Sequence, residues 1–146
     1  MGRFATGVTV LTVRDAEGRP AGMTASSLAS VSLDPPLVSV CVDHTADLHA
    51  FIIAAPDFVV NILESGQEEL ARRFADQHED RFAGVGYHLG PDGQVRLDGA
   101  LAHIECARFT TYAGGDHTIV IGRVTGGDVH AGHPLLYYRG GYAALS

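Results

Sequence analysis

Short runs of apolar and β-branched residues, separated by glycine, proline and aspartate, recur along the chain. Runs of this length between turn signals predict β-strands. Residues 6–14 form the first, Asp15-Ala16-Glu17-Gly18 a turn, and residues 20–27 the returning arm of a hairpin. Residues 31–33 and 37–42 flank Asp34-Pro35-Pro36, a break that no ladder interior accommodates because proline lacks an N–H. Residues 58–63, 101–112, 117–130 and 135–142 supply the remaining strands, with Ala113-Gly114-Gly115-Asp116 joining the two longest. Two segments follow a helical period instead. Thr45 is placed to cap a helix over 46–55 that Pro56 ends. Ser65 and Glu68 have capping-box spacing, and Leu70, Ala71, Phe74 and Ala75 give the helix that follows, to about residue 76, one buried face. Beyond Phe82 the glycines at 84, 86, 90 and 93 predict loops.

Seven or eight strands, two short helices and short connections predict a mainly β fold, a closed or nearly closed antiparallel barrel rather than alternating βαβ units. Gly84-Val85-Gly86 lacks the third glycine of a dinucleotide fingerprint and opens no helix. A nicotinamide dinucleotide would therefore bind in some way other than a Rossmann crevice.

One stretch departs from core composition. Between Thr24 and Ser32 five hydroxyls fall within nine residues, and strand alternation puts Thr24 and Ser26 on one side, Ala25 and Ser27 on the other. Hydroxyls donate and accept, which suits a phosphate or the edge of a flavin ring, where acceptors and an N–H sit side by side. A solvent-facing strand is the alternative reading of the same residues.

The 146 residues are expected to fold as one domain over 1–146. A net charge of −7 with no basic stripe argues against nucleic acid, where affinity comes from neutralising phosphates. All ten basic residues are arginine, which removes Schiff-base and P-loop lysine chemistry. No apolar run approaches the roughly 20 residues of a membrane span and no secretion signal is legible, so a cytoplasmic protein without membrane contact is expected. Cys41 and Cys106 each lie in an apolar run outside any C-x-x-C and read as packing residues. His130-Ala131-Gly132-His133 is a lone pair on a glycine loop with no third clustered ligand in sequence, so no metal is expected.

The segment 22–36, read with Phe4-Ala5-Thr6-Gly7-Val8-Thr9-Val10 before it and Pro36-Leu37-Val38-Ser39-Val40-Cys41-Val42 after it, resembles the flavin reductase-like family. Asp80-Arg81-Phe82, Gly115-Asp116-His117-Thr118-Ile119 and 134–142 match in order, so the resemblance spans nearly the whole chain. It implies an antiparallel split β-barrel with two or three short helices. It also implies an NAD(P)H:flavin oxidoreductase, the reductase component of a two-component flavin-dependent monooxygenase. Such a protein passes a hydride from NADH or NADPH to FMN or FAD for a diffusing oxygenase partner, and acts as a homodimer. A non-catalytic flavin carrier, or another split-barrel flavin or F420 oxidoreductase, shares the barrel. Members ordinarily carry a short helix before the point where this chain begins at Met1, so completeness of the start stays open.

By resemblance, Thr24, Ala25, Ser26 and Ser27 lie along the flavin ring with Cys41, Val42 and Asp43 on the adjacent strand, and Ser30, Val31 and Ser32 lie near the tail. Thr45 and Ala46 sit in the turn that meets the flavin phosphate, where Asp43 and Asp47 oppose an anion and favour weak, exchangeable binding. Arg81, beside Phe82, is the cation for that phosphate, or else a surface ion pair to Asp80 or Glu79. His117, the one residue given a part in turnover, is assigned a positioning role toward the nicotinamide carboxamide or the flavin edge, the alternative being a strand-end histidine bonded to backbone. Tyr138, Arg139, Gly140 and Gly141 are assigned to the dinucleotide, with Tyr138, Gly140 and Tyr142 on one face of a single strand and Tyr137, Arg139 and Gly141 on the other. Only Arg139 is available there for a 2′-phosphate, which favours NADH.

Overall fold

The computed structural model describes residues 1–76 and 81–146. Its main sheet is antiparallel throughout, in the order β3 (Pro20–Ala25), β2 (Thr9–Arg14), β6 (Asp57–Ile62), β9 (Ala102–Gly114), β10 (His117–Val129), β5 (Pro36–Asp43), β4 (Ala29–Leu33). The strands curl around a core of Leu11, Val13, Val40, Val42, Phe58, Val60, Cys106 and Val120. Leu48 and Ile52 of α1 (Leu48–Ala54) pack into that core. The curl brings the end of β3 back to β5, yet no backbone ladder joins them among the described residues. Ser27 makes the join with its side chain: Oγ accepts from the Cys41 N–H at 2.9 Å and donates to the Cys41 carbonyl at 3.3 Å. This is a split antiparallel barrel.

Strand β2 is buried on both faces. Leu11 and Val13 point into the barrel, while Val8 and Val10 belong to a second core with Leu63, Ala71, Phe74, Leu97 and Leu135. Each fully buried side chain of this size stabilises by about 1.5–3 kcal/mol, which makes β2 the strand the two cores share. Its polar groups are consumed internally. Thr9 Oγ1 donates to the Ala25 carbonyl at 2.8 Å and Thr12 Oγ1 to the Val95 carbonyl at 2.7 Å. Asn61 Nδ2 donates to the Val10 carbonyl at 2.9 Å and to Thr12 Oγ1 at 3.0 Å, and its Oδ1 accepts from the Leu97 N–H at 2.9 Å.

The structure corrects several expectations. The first strand breaks at Val8, so that β1 (Thr6–Gly7) pairs with β11 (Leu135–Tyr138) in a separate sheet completed by β12 (Gly141–Ala144). The single C-terminal strand is a hairpin, turned by Arg139 (φ 54°) and Gly140 (φ 77°), a two-residue turn with both φ positive. Tyr137 and Tyr142, which alternation would separate, are thus cross-strand partners with ring centroids 5.4 Å apart. Beyond Phe82 lies a hairpin as well as loops, β7 (Tyr87–Leu89) with β8 (Val95–Leu97). Its three-residue arms are too short to show a period. Thr45 does not cap α1: its N–H and hydroxyl both donate to Asp43 Oδ1 at 2.8 Å, and the residue at the cap is Asp47, whose side chain makes no capping bond. Nor does the Ser65–Glu68 box form at α2 (Glu68–Ala75). Ser65 Oγ donates to Glu64 Oε1 at 2.7 Å, and Gln67 Oε1 accepts from the Glu64 N–H at 2.9 Å.

In the long β9–β10 hairpin a Cβ at Gly122 would meet Phe58 Cζ at 2.6 Å and Cys106 Cβ at 2.9 Å, so only hydrogen fits there. Cys41 and Cys106 are free thiols, and burial, with the Glu105 charge adding, pushes Cys106 up to about 12. It packs and does not react. Among the described residues no helix is long and apolar enough to cross a membrane.

Candidate functional site

The barrel seam, where β3 runs into β4, opens a cleft of about 630 Å³, within the range of small-molecule sites. Ser26, Ser27, Leu28 and Ala29 form one wall, and Thr6, Gly7, Thr9 and Ile62 the other. A side cavity of about 260 Å³ continues from Thr6 and Ser26 to Tyr137. Thr6 lines both, and its hydroxyl is buried behind their surface with no hydrogen-bond partner among the described residues. A buried hydroxyl left unpaired is free to bond a water or a polar ligand that reaches it. Nothing in the sequence separates Thr6 from the other threonines of a strand, and its place in the cleft wall emerges only from the fold.

The hydroxyl run divides. Thr24 Oγ1 donates to the Ala71 carbonyl of α2 at 2.7 Å and does not line the cleft. Ala25 is buried and accepts from Thr9 through its carbonyl. Ser26 and Ser27 face the cleft, while Ser30 and Ser32 lie along edge strand β4 on either side of an irregularity that leaves Val31 half exposed. On β5, Cys41 is bonded to Ser27 and Val42 is a core residue.

At the end of β5 a polar cluster forms. Asp43 faces His117 across the β5–β10 ladder. Hydrogen bonds from the Thr45 backbone and hydroxyl hold the Asp43 carboxyl below its ordinary value, with the nearby His117 and His44 charges helping against burial. His117 Nδ1 lies 2.7 Å from Asp116 Oδ1. His49 joins from α1, its Nε2 2.8 Å from Thr118 Oγ1; a helical histidine carried no signal in sequence. Arg81 reaches the same turn. Its Nη2 lies 3.4 Å from Asp47 Oδ2, its Nη1 donates to the Gly22 carbonyl at 3.0 Å, and its buried Nε has no partner among the described residues. The expected alternatives for Arg81, Asp80 and Glu79, lie outside the described residues. Ala46 packs on the barrel core and Phe82 on the second core, against Phe74.

The hairpin carrying Tyr138, Arg139, Gly140 and Gly141 stands apart from this cluster. Tyr137, Gly140 and Tyr142 line a cavity of about 300 Å³ with Arg72, Ala75 and Asp76 of the α2 end, and the Arg72 guanidinium lies 5.0 Å from the Tyr142 ring centroid. The Arg139 N–H donates to the Gly2 carbonyl at 2.8 Å. Among the described residues no hydrogen bond or ion pair joins His117 to Arg139.

The model of the flavin reductase like domain matches residues 1–146. The chain belongs to the flavin reductase-like family. It is 44% identical over 141 residues to a probable flavin reductase of Rhizobium meliloti (strain 1021), covering 97% of this chain and 45% of that relative. It is 39% identical over 146 residues to the flavin-dependent monooxygenase reductase subunit HsaB of Rhodococcus jostii (strain RHA1), covering 99% and 74%. The NADH:FAD oxidoreductase SgcE6 of Streptomyces globisporus C-1027, solved in complex with NAD and FAD fragments, superposes with a TM-score of 0.94 at 45% identity, over 99% of this chain and 88% of that one. This chain thus spans less than half the length of the Rhizobium relative.

The residues present fit the family's flavin. The cleft of about 630 Å³ carries Ser26 and Ser27 on its wall with Thr6 across from them, hydroxyl residues of the kind a ring edge would engage, and Arg81 beside Asp47 offers a guanidinium of the kind a phosphate would engage.

Proposed function

We propose that the protein is an NADH-dependent flavin reductase that takes FMN or FAD at the barrel seam and hands reduced flavin to a separate oxygenase. The seam cleft with its orphan Thr6 hydroxyl is the observation that carries this reading. Flavin, when bound, supplies the acceptor for a hydride from NADH, and one proton from solvent completes the reduction. The chain's own contribution is positioning. Ser26 and Ser27 hold the ring edge, with Thr6 beside them. Arg81 and the turn from Asp43 to Ala46 meet the phosphate, while Asp43 and Asp47 keep that contact weak enough for release. His117 aligns the nicotinamide, and Arg139 and Gly140 hold the dinucleotide from the C-terminal hairpin. Residues 1–146 act as one domain, as a homodimer in the cytoplasm.

The relatives named above support the activity by what they are: an NADH:FAD oxidoreductase and a monooxygenase reductase subunit. The test is NADH or NADPH oxidation followed at the nicotinamide absorbance, with FMN and with FAD. Flavin-dependent loss of NADH is expected. Tight flavin binding without NADH loss would make the protein a carrier and overturn the reductase. His117→Ala and Arg139→Ala should each lower the specificity constant for NADH roughly five- to 150-fold, with flavin affinity almost unchanged. Loss of flavin binding instead would reverse the assignment of the two sides.

A further inference from the structure

Away from the seam, at the open end of the β9–β10 hairpin opposite His117, three side chains with metal-ligating atoms converge. His103 Nδ1 lies 2.6 Å from Asp128 Oδ1, and His130 Nε2 lies 3.2 Å from the same oxygen. All three ligand atoms fall within 4.8 Å of one another, the only group of its kind among the described residues. Asp128 and His130 are neighbours in sequence, and His103, 25 residues before Asp128, is brought to them by the ladder, which pairs His103 with Asp128 directly. The pairing depends on a register shift before Gly126 and on Gly127 (φ 151°), where a Cβ would sit 2.1 Å from the His103 carbonyl oxygen. No side chain fits there, and the close approach sets Asp128 beside the imidazole.

The tautomer of His103 follows from its other partner. Nε2 lies 2.7 Å from the Leu97 carbonyl, which only accepts, so Nε2 carries a hydrogen and Nδ1 is the ring nitrogen turned to the carboxylate oxygen. Two lone pairs at that distance require a positive centre, either a proton or a cation. Donation of the far ring N–H to a carbonyl is how protein structures orient a metal-binding histidine. Arg96 does not occupy the spot, since its Nη1 takes Asp128 Oδ2 at 3.1 Å and its Nη2 is bonded to Glu105. Glu105 and Asp128 share that one guanidinium, while Asp98 pairs at 2.8 Å with His88, whose ring packs edge-on against His103. The local field is negative. The side chains grade from 2% exposed at His103 through 29% at Asp128 to 54% at His130, which leaves a path from solvent and room for water on the outer side.

We propose that His103, Asp128 and His130 form a binding site for a divalent, zinc-class transition cation, separate from the flavin cleft. Two imidazoles and one carboxylate with a water position suit a borderline-soft ion and not magnesium or calcium. On binding, the His103–Asp128 separation must widen, because ligands about 2.0–2.1 Å from a tetrahedral ion stand roughly 3.3 Å apart.

The test uses the whole chain, stripped with chelator and titrated with Co²⁺ and then Zn²⁺, reading bound metal per chain, the Co²⁺ visible spectrum and the melting temperature. One equivalent of each ion, a tetrahedral or five-coordinate Co²⁺ spectrum and a raised melting temperature are expected. His130→Ala, at the exposed position, should weaken the ion about 100-fold or more while leaving the metal-free melting temperature and flavin reduction unchanged. His133→Ala, nearby on the same loop, should leave affinity as it is. No saturable uptake, or equal uptake by the wild type and His130→Ala, would overturn the site and leave His103 and Asp128 sharing a proton only.

Discussion

Strands β2 and β4 carry hydroxyls at similar density, two in six residues and two in five, yet put them to opposite uses. Thr9 and Thr12 are 3% and 0% exposed and donate to backbone carbonyls of neighbouring elements. Ser30 and Ser32 stand on the sheet's outer edge, beside the irregularity at Val31. The difference is position in the sheet. β2 lies between β3 and β6 with both faces covered, where an unpaired hydroxyl would cost about 1–3 kcal/mol. β4 has one neighbour, and edges tolerate bulges and unpaired polar groups. The seam lies between these extremes: Ser27 is both a structural stitch and a cleft wall.

The buried side of this comparison breaks hardest at Asn61, which holds β2, β8 and the Thr12 hydroxyl together. Asn61→Leu leaves the Leu97 N–H without its partner and removes the side-chain bonds to the Val10 carbonyl and Thr12 Oγ1, and should cost on the order of 3 kcal/mol or more. Thr12→Val, nearly isosteric, should cost about 1–3 kcal/mol by orphaning the Val95 carbonyl. Urea midpoints measure both, and flavin affinity of the folded protein should hold. Loss of flavin binding at unchanged stability would mean that these groups serve the ligand.

Ser27→Ala tests the seam. Both bonds to Cys41 disappear, so about 1 kcal/mol of stability should go together with a several-fold weaker flavin. A stability loss with flavin affinity intact would make the bridge purely architectural. Ser26→Ala should do the converse, since Ser26 is exposed and its hydroxyl bonds no protein group among the described residues. Stability should stay within about 0.5 kcal/mol, while flavin binding loses about 0.5–1.5 kcal/mol. Unchanged flavin titrations would remove Ser26 from the site.

Why some of this was legible in the sequence and some was not follows from the same contrast. Long strands such as β9 and β10, and the apolar face of α2, announce themselves by period, and the ordered motifs single out the hydroxyl run, two of whose serines line the seam cleft. Which hydroxyl is free was not legible. Thr24 and Ser26 share a strand face in sequence, but Thr24 is taken by the Ala71 carbonyl, a partner 47 residues away that no local pattern names. The caps failed for a related reason. Thr45 and Ser65 have the right spacing, but neighbouring carboxylates, Asp43 and Glu64, capture their hydroxyls first. The His103–Asp128 pair depends on ladder register and a bulge, neither readable from spacing.

The smallest effect is expected at Asp43, where architecture and ligand pull in opposite directions. Hydrogen bonds from the Thr45 N–H and hydroxyl hold its carboxyl below the ordinary 3.8, so the folded protein keeps the proton off more readily than the unfolded chain. A carboxyl depressed on folding contributes stability above its unfolded value, and that contribution is lost as pH falls through the lower folded value. Asp43→Asn keeps an acceptor for Thr45 without the charge. Stability near neutral pH should therefore fall slightly and the decline below about pH 4 should flatten, read as melting temperature against pH. The same change removes a negative charge from the turn assigned to the flavin phosphate, so FMN should bind a few-fold tighter at low salt, with the gain fading as salt screens the interaction. A tighter FMN that ignores salt would point to altered contacts rather than charge. A weaker FMN would take the phosphate away from this turn.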